Sequence, residues 1–151
     1  TVKDQQVTDF KTYMTGEFFH LLSNQSILSG SVQENTTYSF EEMRKSFEDG
    51  VAQSNHDNLL HNAFRVRTNH LLVNFSKEEN YYYLSGLLIG TELKELVHRE
   101  IPLTVVGSGL MQKYYLSALE KYGLRNIKTY DADKALVKGH CKVYHQTYSE
   151  R

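Results

Sequence analysis

Ile101-Pro102-Leu103-Thr104-Val105-Val106 runs into Gly107-Ser108-Gly109, and a helical pattern starts at once with Leu110 and Met111. The first six residues are apolar, rich in β-branched types and bounded by a proline, which predicts a buried strand. Leu110, Met111, Tyr114, Tyr115, Ala118, Leu119 and Tyr122 then fall on one face at a helical period. Gly123 stands just past the last of them, where a left-handed C-terminal cap is wanted. Ile127-Lys128-Thr129-Tyr130 predicts a second strand. Strand, glycine turn, helix and strand make a βαβ unit and place the chain in the α/β class. A ligand is accepted in such a unit at the turn, at the carboxyl end of the first strand.

Two glycines around a serine let a ligand approach the backbone without interference from a Cβ. The following helix presents unpaired N–H groups and the positive end of its dipole. Gly107, Ser108 and Gly109 therefore suit a phosphate, or the flat face of a nucleotide base or sugar. The stretch has neither the third glycine of a dinucleotide fingerprint nor the Lys-Ser/Thr ending of a P-loop. A tight strand-to-helix turn that binds nothing satisfies the same spacing.

The 151 residues suffice for one domain with a sizeable core, or for one lobe of something larger. A formal net charge of -1 gives no basic footprint, so nucleic acid is not an expected partner. The single cysteine, Cys141, rules out an internal disulfide framework and fits a reducing, cytoplasmic compartment. It reads as small and buried. No apolar run approaches the roughly 20 residues needed to span a bilayer, and no signal peptide is visible. The chain begins at Thr1 rather than methionine, with a strand predicted almost at once, which suggests a piece of a longer polypeptide.

Outward toward the amino terminus, the stretch from Lys77 to Leu93 predicts a long helix, apolar nearly all round in its middle and hence central and buried. Ser76 and Glu79 have capping-box spacing at its start. Ser85-Gly86 and Gly90 break the helix-propensity rule, which points to close approach by another backbone or by a ligand. Ser39 and Glu42 repeat the capping-box spacing before a helix buried through Phe40, Met43, Phe47 and Val51. Gly50 weakens that helix by about 1 kcal/mol relative to alanine and predicts late fraying. Leu59 to Val73 predicts another helix, bearing Arg65 and Arg67.

Thr1-Val2-Lys3 and Val7 to Tyr13 read as a hairpin around Asp4-Gln5-Gln6. Met14 to Leu22 reads as a helix with Thr15 at its N-cap, and Ser29 to Thr37 as a polar loop. Beyond the βαβ unit, Asp131 caps a short helix through Ala135-Leu136-Val137 that stops at Gly139. Cys141 to His145 then reads as a last strand.

Several blocks resemble the 2-dehydro-3-deoxygalactonokinase family. They are Tyr13-Met14-Thr15-Gly16-Glu17-Phe18-Phe19, Gln25-Ser26-Ile27-Leu28 and Phe64-Arg65-Val66-Arg67-Thr68. Tyr83-Leu84-Ser85-Gly86-Leu87-Leu88-Ile89-Gly90-Thr91-Glu92 follows, and then Val106-Gly107-Ser108-Gly109-Leu110 with Tyr114 and Tyr115. The blocks occur in the family's order across nearly the whole chain. The resemblance implies a two-lobed sugar-acid kinase of the actin and hexokinase superfamily. Residues 1–151 would form its second, nucleotide-binding lobe, with a ribonuclease-H-like mixed sheet flanked by helices. It implies transfer of the γ-phosphoryl of Mg-ATP (hence ATP and Mg2+) to the 6-hydroxyl of 2-dehydro-3-deoxy-D-galactonate, in galactonate catabolism. The amino-terminal lobe and the Gly-Thr-His-Ser-Lys block expected ahead of Thr1 are not in this sequence. Phosphoryl transfer is mostly positioning and charge stabilisation, so half a cleft should catalyse little.

By the resemblance, Gly107, Ser108 and Gly109 match the superfamily's adenosine-binding turn. Gly86, Gly90 and Glu92 flank the nucleotide from the long helix, or else serve helix packing. Arg65 and Arg67 grip a carboxylate or phosphate of the sugar acid, or form surface ion pairs. Thr15 and Glu17 line the interlobe cleft, although capping alone explains Thr15. The general base of related kinases is an aspartate of the other lobe, so no catalytic residue is assigned. The seven histidines show no zinc-ligand spacing, and Tyr81-Tyr82-Tyr83 with Tyr114-Tyr115 read as core. A kinase lobe with an exposed apolar face, prone to homodimerise, and a free-standing non-catalytic module that binds nucleotide or a partner are the two readings left open.

Overall fold

A computed structural model describes residues 1–4, 6–34, 37–97 and 101–148. Gln5 of the expected hairpin turn and residues 35–36 of the expected polar loop lie outside the described residues. Six α-helices dominate. The order is β1 (Val2–Lys3), β2 (Gln6–Val7), α1 (Thr15–Gln25), α2 (Phe40–Gln53), α3 (Leu59–Leu72), α4 (Lys77–Leu93), β3 (Thr104–Gly107), α5 (Gly109–Lys121), β4 (Lys128–Asp131) and α6 (Ala132–Tyr148). Short 3-10 turns at Ser29–Ser31 and Lys94–Leu96 follow α1 and α4.

The centre is α4. Tyr82, Ile89 and Leu93 pack on one side with Phe40, Phe47, Val51, Tyr114 and Ala118 of α2 and α5. Tyr83, Leu84, Leu87 and Leu88 pack on the other with Leu28, Val32, Ala63 and Val66. One helix thus serves two apolar clusters, which is why its middle is apolar all round. Both capping boxes form: the Ser39 and Ser76 side chains accept from the Glu42 and Glu79 N–H groups, and each glutamate accepts from its serine's N–H.

The βαβ unit forms as read. β3 and β4 pair in parallel with Thr104 opposite Lys128 and Gly107 opposite Asp131. Strand β3 begins three residues later than the apolar run and takes in Gly107. At the end of α5, Gly123 has a φ of 78°. Its N–H donates to the Glu120 carbonyl at 2.9 Å, and the Leu124 N–H donates to the Leu119 carbonyl at 3.0 Å. This is the Schellman pattern of carbonyl satisfaction.

Five expectations are corrected. Among the described residues the strands form two separate two-stranded sheets, β1–β2 antiparallel and β3–β4 parallel, instead of one mixed sheet. The hairpin strands are two residues each, and 8–14 carry no strand. The Cys141–His145 segment belongs to α6, which continues through Gly139. Leu136 and Val137 recur as Val143 and Tyr144 seven residues on, two helical turns, and this longer period prevails over the short alternation. Cys141 is exposed there. Finally, α2 runs three residues past Gly50, because that glycine sits buried where α2 crosses α4.

Candidate functional site

The turn between β3 and α5 is built as the two glycines predict. Gly109 adopts a φ of 56°, a left-handed conformation that suits glycine. A Cβ built on it would meet no atom within 4 Å, so its backbone is bare toward open space. Ser108 is the extended N-cap of α5, and its side chain makes no capping bond. The first N–H groups of α5 are therefore not consumed by a side-chain cap and remain suited to an anion. The turn is braced from behind by Gln112, whose Nε2 donates to the carbonyls of Gly107 and Tyr130, both at 3.1 Å. One amide thus clamps the carboxyl ends of both parallel strands. Asp131, opposite Gly107, accepts from the Lys134 N–H at 2.9 Å and starts α6 as expected.

A second cluster gathers on Glu92. Its Oε2 accepts from the Thr15 hydroxyl of α1 and, at 2.9 Å, from the Tyr115 hydroxyl of α5. Thr15 is the first helical residue of α1 and not its N-cap, which is Met14. Its hydroxyl is thereby free to reach α4. Burial, then the carboxylate beside it, pushes the Tyr115 phenol well above the usual tyrosine range. Two residues read as belonging to different sites, Thr15 and Glu92, so meet at one oxygen.

The remaining residues stay apart. Gly90 faces the other way: a Cβ there would lie 2.5 Å from Ser54 Oγ and 2.9 Å from the Tyr122 hydroxyl. That hydroxyl donates to the Gly90 carbonyl at 2.8 Å. Gly86 is filled by the backbone of α2, with Phe47 O 1.9 Å from a built Cβ. Glu17 is exposed in the first turn of α1. Arg65 and Arg67, two residues apart, emerge on nearly opposite sides of α3. Arg65 lies against the Tyr83 hydroxyl and offsets part of the upward push that burial gives that phenol. Arg67 donates to the Ile27 carbonyl at 3.3 Å. The two guanidinium groups do not form one grip.

Sequence reasoning passed over Gln112, and it read Tyr115 only as core. A long polar residue one turn into a helix after a glycine turn is the signal for the first. A tyrosine whose ring is buried still needs a partner for its hydroxyl, which is the signal for the second. Among the described residues, no group of three or more His, Cys, Asp or Glu side chains could hold a metal ion.

These features define a mostly helical α/β protein built around one parallel strand–turn–helix–strand unit. The chain belongs to the 2-keto-3-deoxy-galactonokinase family, whose model matches residues 1–143. It is 35% identical over 116 residues to the 2-dehydro-3-deoxygalactonokinase of Escherichia coli (strain K12), covering 73% of this chain and 38% of that protein. It is 35% identical over 144 residues to the probable 2-dehydro-3-deoxygalactonokinase DgoK1 of Rhizobium meliloti (strain 1021), covering 90% of this chain and 45% of the relative. A crystal structure of a Sinorhizobium meliloti protein provisionally described as a 2-dehydro-3-deoxygalactonokinase superposes with a TM-score of 0.85 at 32% identity. That match covers 97% of this chain and 48% of the solved one. The chain therefore spans less than half the length of each of these relatives.

Proposed function

We propose that this chain acts as the carboxy-terminal, nucleotide-binding lobe of a ribonuclease-H-like sugar-acid kinase. In this reading, the complete protein transfers the γ-phosphoryl of ATP to the 6-hydroxyl of 2-dehydro-3-deoxy-D-galactonate. The observation that carries it is the bare Gly107–Gly109 backbone at the open amino end of α5, in a member of this kinase family. The turn fits ATP through main-chain N–H groups and the helix dipole acting on phosphate, or through close contact with the nucleoside. The described residues offer Mg2+ no ligand set of their own, and no step is derived through it. Gln112 keeps the turn's geometry by fixing both strand ends, and Glu92 ties α1 and α4 to the helix that starts at the turn. The sugar acid and the acid–base chemistry fall to an interlobe cleft completed by the other half, with Thr15 and Glu17 on this side. Arg65 and Arg67 cannot share one anion from opposite sides of α3, so at most one of them contributes.

The test is a titration of the purified chain with Mg-ADP, repeated with Gly109→Leu and Gly109→Asn. Saturable binding that leucine abolishes and asparagine retains supports the nucleotide turn, since asparagine tolerates the left-handed conformation. Binding equal in all three would move the nucleotide elsewhere. Absence of binding by the unaltered chain would remove the turn as a self-sufficient site.

A further inference from the structure

Strand β3 is half paired. Among the described residues it bonds β4 alone. The Lys128 N–H donates to the Leu103 carbonyl at 3.0 Å, and Thr104 is registered with Lys128. Alternation along a parallel ladder then turns the backbone groups of Leu103, Val105 and Gly107 toward β4. The N–H and C=O groups of Thr104 and Val106 face the opposite edge.

Along that strand lies a cavity of about 290 Å³, lined by all four residues of β3. Its walls are apolar, chiefly Leu93, Leu96, Leu103, Met111 and Tyr115. A cavity that follows a strand from end to end, with main-chain donors and acceptors on one side and apolar walls, has the chemistry of a slot for another strand. The sheet is incomplete by a second measure. Parallel strands are ordinarily covered on both faces, yet α6, which packs against β3 and β4, contains no buried residue. Its Leu136, Val137, Val143 and Tyr144 are 61–63% exposed.

We propose that this slot is a strand-docking site, filled by an extended apolar segment joined ahead of Thr1 in the family-length polypeptide. The relatives are more than twice as long as the stretch they share with this chain, so such a segment has a source. Thr1 lines an adjoining groove that shares Leu93 and Leu96 with the slot, so a segment continuing from it reaches β3 without crossing the fold. A second copy fits less well. A two-fold pairing of β3 with its mate would drive the α4 end of each copy into the space walled by the same Leu93 and Leu96 of the other. The proposal is independent of nucleotide binding, since it uses only the strand edge, the slot and the relatives' length.

The experiment is amide hydrogen exchange on the chain alone and after adding, in trans, the half of the Rhizobium meliloti relative that this chain does not match. Alone, Thr104 and Val106 should exchange fast while Val105 and Gly107 are protected. With the added half, both edge amides should slow at least tenfold. Val106→Pro removes the outward N–H and no β4 bond, and Leu96→Lys places a charge in the slot wall. Each should leave the free chain's circular dichroism unchanged and cut capture at least tenfold. Failure to associate, association without slowing at Thr104 and Val106, or full capture by both variants would overturn the proposal. Slowing that follows the concentration of this chain alone would assign the slot to a second copy and overturn it equally.

Discussion

Gly50 of α2 and Gly86 of α4 each lie against the other helix's backbone. A Cβ on Gly50 would stand 2.1 Å from the Tyr83 carbonyl oxygen and 2.8 Å from the Leu87 nitrogen. A Cβ on Gly86 would stand 1.9 Å from the Phe47 carbonyl oxygen. The two glycines let the helices touch main chain to main chain, and the flanking Phe47, Val51, Leu84 and Leu87 are fully buried as a result.

Gly86→Ala should therefore destabilise the chain by about 3 kcal/mol or more, the upper end of overpacking costs, because the obstructing atoms are backbone and cannot rotate away. Gly139→Ala in α6 is the control. A Cβ there meets nothing within 4 Å, so the helix should gain up to about 1 kcal/mol. Chemical denaturation of both variants decides it. A Gly86→Ala loss no larger than ordinary surface substitutions would show that the crossing is looser than described.

How far this arrangement was legible depends on how local each signal is. The capping boxes at Ser39 and Ser76 and the turn into α5 were readable because each lies within a few residues. The burial of α4 was readable from its own apolar middle. Gly86 was flagged as a close approach, but Gly50 was read as a point of fraying, since its partner lies on a helix distant in sequence. The Glu92 cluster was not readable: Thr15 is 77 residues away and Tyr115 is 23 residues away, and only helix docking brings them together. The Cys141–His145 segment misled because a five-residue alternation carries less information than the seven-residue recurrence running through it.

The Glu92 cluster makes a coupled prediction. Thr15→Val and Tyr115→Phe should each cost about 1–2 kcal/mol, as hydrogen bonds to a charged acceptor do. Because both hydroxyls serve one oxygen, the double variant should lose more than the sum, by about 0.5 kcal/mol or more. Additive losses in a denaturation cycle would mean that the carboxylate does not join α1 to α5.

Alkaline pH should act through the tyrosines. Burial, then the Glu34 carboxylate, pushes the Tyr81 phenol up to about 12. Burial also raises Tyr83, Tyr114, Tyr115 and Tyr122. A phenol raised in the folded state contributes stability that is complete below its unfolded value of about 10 and lost as pH climbs through the folded one. Phenolate absorbance should thus rise in two stages, with the second coincident with loss of circular dichroism above pH about 10. One smooth titration with the fold intact would contradict the burial of these five hydroxyls.

The two capping boxes should differ in strength and in their response to acid. The Glu79 N–H donates to Ser76 Oγ at 3.0 Å, whereas the Glu42 N–H reaches Ser39 Oγ at 3.4 Å. Ser76→Ala should cost about 1 kcal/mol and Ser39→Ala less. The Glu42 carboxyl is held below its usual value of 4.5 by the Ser39 backbone N–H first and the Ser39 hydroxyl second. A depressed folded value means that this contribution is present above the unfolded pKa and fades as pH falls through the folded one. The start of α2 should therefore loosen on acidification. Glu42→Gln, whose amide oxygen still accepts from Ser39 but does not ionise in this range, should remove that part of the pH dependence. Amide exchange at Ser39 followed against pH in both proteins would decide the matter, and identical profiles would show that the Glu42 charge plays no part in holding the helix start.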